Sequence, residues 1–388
     1  MKKVVVILSF CLATILGISA FGSCAASGLS LELKYWVPSV DGADEVAWYR
    51  IQYEQHSDWS SEPDQQWERE TRTPYTLSPG KAGTYVIRGA LGLTPESGIY
   101  LSRWGISASS SVGSPTVPVE YSYESQYDPE SQTSFTYADN RLFMWGCTWD
   151  LNADQYYYNG ELAYDYEYHL YGDMNLAASS TELLYERQAL ATPAYKLGVA
   201  AGLKHAAFSR QEATHFEVYY EHYPHSSQGY PEGTYYSNRG HDCVDSRASF
   251  SLLGPKISIS ADAVILSNVR LSGRLGYSVL FGRANLSGRY TSEREIRYFG
   301  GFPWDDSEDE YTQSTERAID TSIPILDVEI GLRYPVTDSV DVFASYMAST
   351  WSNVPEPPGY NASDYVWDPI TRGTVSFKGL TIGATLRF

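Results

Sequence analysis

The last ten residues constrain this chain most. In Gly379-Leu380-Thr381-Ile382-Gly383-Ala384-Thr385-Leu386-Arg387-Phe388, the residues Leu380, Ile382, Ala384, Leu386 and Phe388 share one face, and Thr381, Gly383, Thr385 and Arg387 share the other. That is the period-two pattern of a strand. It runs without a break to a terminal aromatic residue, although chain ends fray unless something ties them down. A membrane barrel supplies the tie, because its last strand closes against its first and lays its apolar face in lipid. A soluble sandwich with a C-terminal edge strand is the plainer alternative.

The start of the chain bears on that choice. Met1-Lys2-Lys3 is a short basic segment, and residues 4–18 form an apolar run too short to span a membrane. Small residues follow, so residues 1–25 are expected to be a signal peptide cleaved after Ala25, with residues 26–388 forming one domain. Phe21-Gly22-Ser23-Cys24 is a weak match to a lipid-attachment site. No later stretch has the roughly 20 apolar residues of a membrane helix. The formal charge of -19 argues against nucleic acid. The 33 tyrosines suit the aromatic girdles of an outer-membrane barrel, and also suit strands in general. Of the four cysteines, Cys11 and Cys24 leave with the signal, and Cys147 and Cys243 are expected to pair in an oxidising compartment.

The strands can be read off in turn. Leu29, Leu31, Leu33, Tyr35 and Val37 alternate with Ser30, Glu32, Lys34 and Trp36. A long acidic loop is expected over 38–82. A strand over 85–93, a tight turn over 94–98 and a rising strand over 99–108 come next, before a second polar excursion over 109–147. The clearest alternation sets Leu162, Tyr164, Tyr166, Tyr168 and Leu170 against Glu161, Asp165, Glu167 and His169, and is read as lipid-facing on the first set. Tyr195, Leu197, Val199, Ala201 and Leu203 oppose Lys196, Gly198, Ala200, Gly202 and Lys204. A loop over 209–247 contains Cys243. Further strands set Ile257 and Ile259 against Ser258 and Ser260, and Leu271 to Phe281 against Arg274 and its neighbours. After the acidic run 305–310, Leu326, Val328, Ile330 and Leu332 oppose Asp327, Glu329 and Arg333. The whole reads as all-β: a transmembrane antiparallel β-barrel of about ten strands, with long extracellular loops and short periplasmic turns. Counting 135–149 and 215–220 as an extra pair gives twelve. Ten is preferred because it puts Cys147 and Cys243 at the same end, within bonding reach.

Several pieces resemble the Legionella-type major-outer-membrane-protein family of pore-forming barrels: Tyr35-Trp36-Val37-Pro38 with Asp41-Gly42, Gly254-Pro255-Lys256-Ile257, Ser278-Val279-Leu280-Phe281-Gly282, Pro324-Ile325-Leu326-Asp327 with Gly331-Leu332-Arg333, and Gly379-Leu380-Thr381 before the terminal Phe. The similarity covers mainly 254–388. It implies passive passage through a bacterial outer membrane.

The residues themselves give the pore partial support. Ten strands lies near the size at which side chains fill a barrel. The inward faces carry both signs, with pore-lining candidates Glu161, Asp165, Glu167, His169, Lys196, Lys204, Arg274, Asp327, Glu329 and Arg333. Small inward residues (Gly198, Ala200, Gly202, Gly276, Ser278, Gly331) leave room, so the expectation is a narrow porin-like path that prefers cationic solutes. The alternative is a non-conducting structural or adhesive barrel working through its loops. A barrel hydrolase is a third reading: His241-Asp242 with Asp245 for an omptin-like protease, or His205, His215 and His222 near Ser209 and Ser226 for a phospholipase. Neither forms a sequence motif, and no enzyme is expected. His222, His225, His241 and Cys243 match no zinc spacing, so no metal and no cofactor are expected. The expected partners are outer-membrane lipid and the barrel-insertion machinery, whose recognition signal Leu380, Ile382, Ala384, Leu386 and Phe388 resemble.

Overall fold

The computed structural model describes residues 28–43, 45–58, 65–79, 82–94, 96–113, 134–144, 147–149, 155–158, 161–222, 235–266, 268–300, 305–361 and 366–388. The expected signal peptide, with Cys11 and Cys24, lies outside them. So do His225, Ser226 and the side chain of His222. No helix among the described residues is long and apolar enough to cross a membrane.

The elements are β1 (Gly28–Asp41), β2 (Glu45–Asp58), β3 (Gln65–Leu77), β4 (Thr84–Thr94), β5 (Ser97–Gly113), β6 (Ser134–Met144), β7 (Cys147–Trp149), β8 (Gln155–Tyr158), β9 (Glu161–Ala191), β10 (Tyr195–His222), β11 (Tyr235–Leu266), β12 (Val269–Phe299), β13 (Ser307–Thr337), β14 (Val340–Pro355), β15 (Tyr360–Asn361), β16 (Val366–Trp367) and β17 (Arg372–Arg387). Ten of them, β1, β4, β5, β9 to β14 and β17, close a ring of antiparallel neighbours. β17 seals it against β1, with Ala384 opposite Leu33 and Ile382 opposite Tyr35. The count of ten stands. Residues 215–220 are part of β10, and 134–144 and 147–149 belong to a separate four-stranded sheet, β3-β2-β6-β7.

The pleat sorts the residues. Leu33, Tyr35 and Val37 on β1 are exposed while Glu32, Lys34 and Trp36 are buried. On β12, Leu271, Leu275, Tyr277 and Phe281 face out, as do Leu326, Ile330, Leu332 and Tyr334 on β13, and Leu380, Ile382 and Leu386 on β17 with Phe388 just after it. Leu380 is 70 % and Ile382 62 % exposed, a cost that only lipid removes. Just beyond Phe281 the outer face turns ionic, with Arg283 opposite Asp320 and 3.7 Å from it. At the turn end the belt finishes with the exposed Tyr195 and Tyr334. The five residues of the expected insertion signal all lie on this lipid-facing side.

The strands are far longer than a membrane needs. β9, β12 and β13 have 31 residues each and β11 has 32, whereas roughly 10 tilted residues cross a bilayer. The barrel wall therefore continues well past the lipid on the side away from the short turns. Four expected loops are overturned here. Residues 38–82 contain β2 and β3; 109–147 contain the end of β5, β6 and the start of β7; 209–247 are mostly the upper halves of β10 and β11; and Glu308, Asp309 and Glu310 already belong to β13. Outside the bilayer no hydrocarbon enforces strict alternation, so a strand there can be polar on both faces and reads as loop. The segment 162–170 is corrected for the converse reason. Its tyrosines alternate cleanly, yet it is the far end of β9, whose lipid-level residues are Leu183, Tyr185 and Leu190.

Candidate functional site

The inward faces at belt level bring charges from six strands into one layer. Lys34 on β1 donates to Glu329 on β13 and lies 2.9 Å from Glu32. Glu32 also accepts from Arg88 Nη1 and from Arg333 Nη2, each at 2.9 Å. Beside this group, Lys204 Nζ on β10 lies 2.6 Å from Asp327 Oδ2 and 3.3 Å from Glu182 on β9. Lys256 on β11 donates to Glu182 at 2.5 Å and to Asp327. Ser349 and Ser345 of β14 complete the carboxylates, donating to Asp327 Oδ1 at 2.7 Å and Glu329 Oε1 at 3.0 Å. Five cations (Lys34, Arg88, Lys204, Lys256, Arg333) thus meet four carboxylates (Glu32, Glu182, Asp327, Glu329) across the lumen, which makes burial of so much charge tolerable.

Above this layer the lumen is aromatic. Trp36, Trp351 and Phe377 are fully buried. Trp104 meets Trp36 edge-on at 5.3 Å and Phe377 at 5.5 Å, and Phe208 stacks with Phe250 at 5.2 Å. Trp351 Nε1 donates to Ser349 Oγ, tying the two layers together.

Higher still, outside the lipid, the chain between β14 and β17 folds inward. It leaves the wall at Asn353, whose φ of 64° suits an asparagine and whose amide donates to Ser322 O. The hairpin β15–β16 follows. Tyr360 is buried, stacks on Tyr290 at 4.3 Å and donates to Gln313 Oε1. Ser246 donates to Pro358 O, and Arg317 to Asp368 O. The Trp367 ring sits 2.2 Å from where a Cβ on Gly288 would stand, so only glycine admits it there. Asp242, also in this upper lumen, accepts from Tyr290; burial raises its pKa.

Below the ionic layer a cavity of about 500 Å³ opens at the turn end, lined among others by Tyr100, Glu186, Lys196, Asp262 and Arg333.

The sequence-derived candidates divide accordingly. Lys204, Asp327, Glu329 and Arg333 lie in the ionic layer, Arg274 lies over the Tyr100 ring beside it, and Lys196 lines the lower cavity. His169 is corrected: it is exposed on the outer face of β9, in register with Glu217. The side chains of Glu161, Asp165 and Glu167 lie outside the described residues. The small inward positions do not leave free room, because neighbours occupy it: a Cβ on Gly276 would meet the Lys256 side chain at 2.8 Å, and one on Gly331 would meet Ser345 at 2.3 Å. Glu182 and Lys256 were missed. Lys256 continues the polar face of Ser258 and Ser260, which was a usable signal. Glu182 is followed inward by Leu184, buried against Tyr100 and Ala200, and this breaks the alternation.

Of the outer-rim candidates, His241 and Asp245 share the outward face of β11 and Asp242 does not. His241 faces out and the buried Asp242 faces in, on opposite sides of the wall. His205 bonds to Ser251, away from His215. Cys243 is a free cysteine on the outer face; the Cys147 side chain lies outside the described residues. No three His, Cys, Asp or Glu side chains among the described residues converge on one point.

A closed, even-stranded antiparallel ring with an apolar outer belt and an ion-paired interior defines a bacterial outer-membrane β-barrel. No family model and no curated protein matches the chain. Among solved structures it is similar to the outer membrane protease OmpT from Escherichia coli, at 12% identity and a TM-score of 0.40, over 95% of this chain and 100% of that one. The toluene transporter TodX of Pseudomonas putida follows at 7% identity and a TM-score of 0.22, over 93% and 90%. The translocator domain of the autotransporter NalP from Neisseria meningitidis gives 8% and 0.20, over 100% and 97%. Likenesses this distant leave the fold to rest on its own strand register and outer belt.

Proposed function

We propose that the chain is a non-conducting outer-membrane barrel, anchored by its lipid-level belt, that works through the wall and strands it raises outside the membrane. One observation carries this reading: the lumen at mid-membrane depth is crossed by buried ion pairs, with Lys204 fully buried and Lys34 and Lys256 nearly so. An aromatic layer and an inward hairpin lie above them. Each layer fills the cross-section that a narrow, cation-preferring path would need, and a ten-stranded ring is close to the size that side chains fill. The length of β9 to β13 supports the second half of the proposal, since most of each strand stands clear of lipid. In the same proposal the chain is not an enzyme, the belt meets outer-membrane lipid, and β17 is what the barrel-insertion machinery reads.

Liposome swelling tests the proposal. Vesicles carrying the refolded full chain are expected to exclude small sugars and amino acids as protein-free vesicles do. Swelling that scales with protein content would overturn the proposal in favour of a pore.

A further inference from the structure

The wall above the belt has an open side. β13 pairs with β12 along almost its whole length, but β14 joins it only from Ile325 towards the turn. Higher up, among the described residues, no strand pairs with β13 on that side. The chain that would continue β14 upwards is held elsewhere. It leaves the wall at Asn353, and its hairpin is tied to inward side chains of β13, with Tyr360 donating to Gln313 and Arg317 donating to Asp368 O. The Asn353 amide donates to Ser322 O across the gap, so Ser322 turns its backbone to the open side. Backbone groups of an antiparallel strand alternate in direction. Asp320, Ala318, Glu316, Ser314 and Thr312 therefore present their amides and carbonyls there too, and all five are exposed.

Charge alone guards this edge. Residues 307–323 contain no proline, and the ladder to β12 has no bulge, so the other devices that spoil an edge are missing. Asp320 lies beside Arg283, just above the belt, which puts the open stretch outside the membrane. Its exposed acids are Glu316 and Asp320, with Glu308, Asp309 and Glu310 above them. Glu308 is directly opposite Glu295 of β12, and Glu310 is opposite Glu293; such like-charge pairs cost stability. We propose that the open edge of β13, residues 312–322, takes an extended segment of a basic partner protein as an added strand outside the membrane. The inference rests on the raised wall being the working part of the molecule, and not on the closed lumen. Main-chain hydrogen bonds supply the affinity, and basic side chains at alternate positions supply the selectivity. A second copy does not fit. A twofold that pairs two β13 edges antiparallel in one sheet turns one copy upside down in the membrane. Parallel pairing in register sets Glu316 and Asp320 against themselves.

The probe is a fluorescent peptide of alternating lysine and threonine, long enough to span residues 312–322, added at low salt to the full chain refolded in detergent. Saturable binding is expected by fluorescence anisotropy. The same peptide with N-methylated backbone amides keeps the charge and loses the donors, and is expected to bind more than roughly tenfold more weakly. So is a peptide of alternating glutamate and threonine. In the protein, Ser314→Pro removes an amide that points to the open side and leaves the ladder to β12 intact, and Glu316→Lys with Asp320→Lys reverses the charge of the edge. Each is expected to weaken binding by more than roughly tenfold. A heat-modifiability gel shift confirms that each variant is folded; the pair of lysine peptides, read on the native chain, needs no variant. No saturable binding, equal binding of the N-methylated peptide through charge alone, binding unchanged by Ser314→Pro, or dimers of the chain that Ser314→Pro dissociates would each overturn the proposal. Vesicle swelling is read separately, so failure here leaves the closed lumen standing.

Discussion

Lys204 Nζ and Asp327 Oδ2 stand 2.6 Å apart in the middle of the barrel, and the lysine side chain has no exposure at all. They come from β10 and β13, which are not neighbours in the ring, so the pair bridges the lumen rather than decorating its wall. Lys256 joins the same carboxylate from β11. A charge this deep is held only by its partners, and the first prediction follows from that.

Replacing Asp327 with Asn leaves Lys204 and Lys256 sharing Glu182 alone. Breaking a buried pair in this way costs about 3–5 kcal/mol, so the urea midpoint of folding in detergent should fall clearly. Adding Lys204→Met removes one of the stranded cations and should recover part of the loss. If the double variant is as unstable as the sum of its single changes, the two residues are not coupled.

Trp351 is fully buried and touches Trp104, Phe377, Phe208 and Phe250. Trp351→Ala is expected to cost about 3–5 kcal/mol through the cavity it leaves. It should still carry no current, because the ionic layer beneath it is intact. Current through this single variant would mean that the aromatic layer alone is the seal.

Asp242 gives a pH dependence. Its folded pKa lies above its ordinary value because burial disfavours the charged form. The protonated acid is therefore favoured on folding, and the group subtracts from stability as pH rises above the unfolded value near ~3.9, fully so once the folded pKa is passed. Asp242→Asn keeps an oxygen for Tyr290 to donate to and removes that penalty. The variant should have the higher urea midpoint at pH 7, with the difference closing at pH 3. An equal or lower midpoint at pH 7 would contradict it.

Gly288 tests the inward hairpin. A valine there would occupy the space of the Trp367 ring, so Gly288→Val should push the hairpin out of the lumen and raise acrylamide quenching of tryptophan fluorescence. The barrel itself should keep its heat-modifiable gel shift, since β12 faces lipid with other residues. Unchanged quenching would place Trp367 elsewhere.

What could be read from residues alone tracks what the solvent demands of them. Leu271 to Phe281 and Leu326 to Tyr334 alternate because hydrocarbon touches every second side chain, and the ten-stranded ring follows from such segments. The upper half of β11, with Arg239, His241, Cys243 and Asp245 outward, has water on that side and shows no apolar stripe, so it passed for loop. The inward position of Lys34, Lys204 and Asp327 was legible from their own strands. Their pairing was not, because it depends on which strands face each other across the ring. Trp36 was legible as an inward residue, but its place in an aromatic layer was hidden, since Trp351 and Phe377 flank what reads as the last loop.

Single-channel recording in a planar bilayer tests the central claim, the filled lumen, most directly. With the refolded full chain, we expect a flat baseline without unitary steps at any voltage that leaves the bilayer intact. Reproducible, cation-selective steps that scale with the protein added would contradict it.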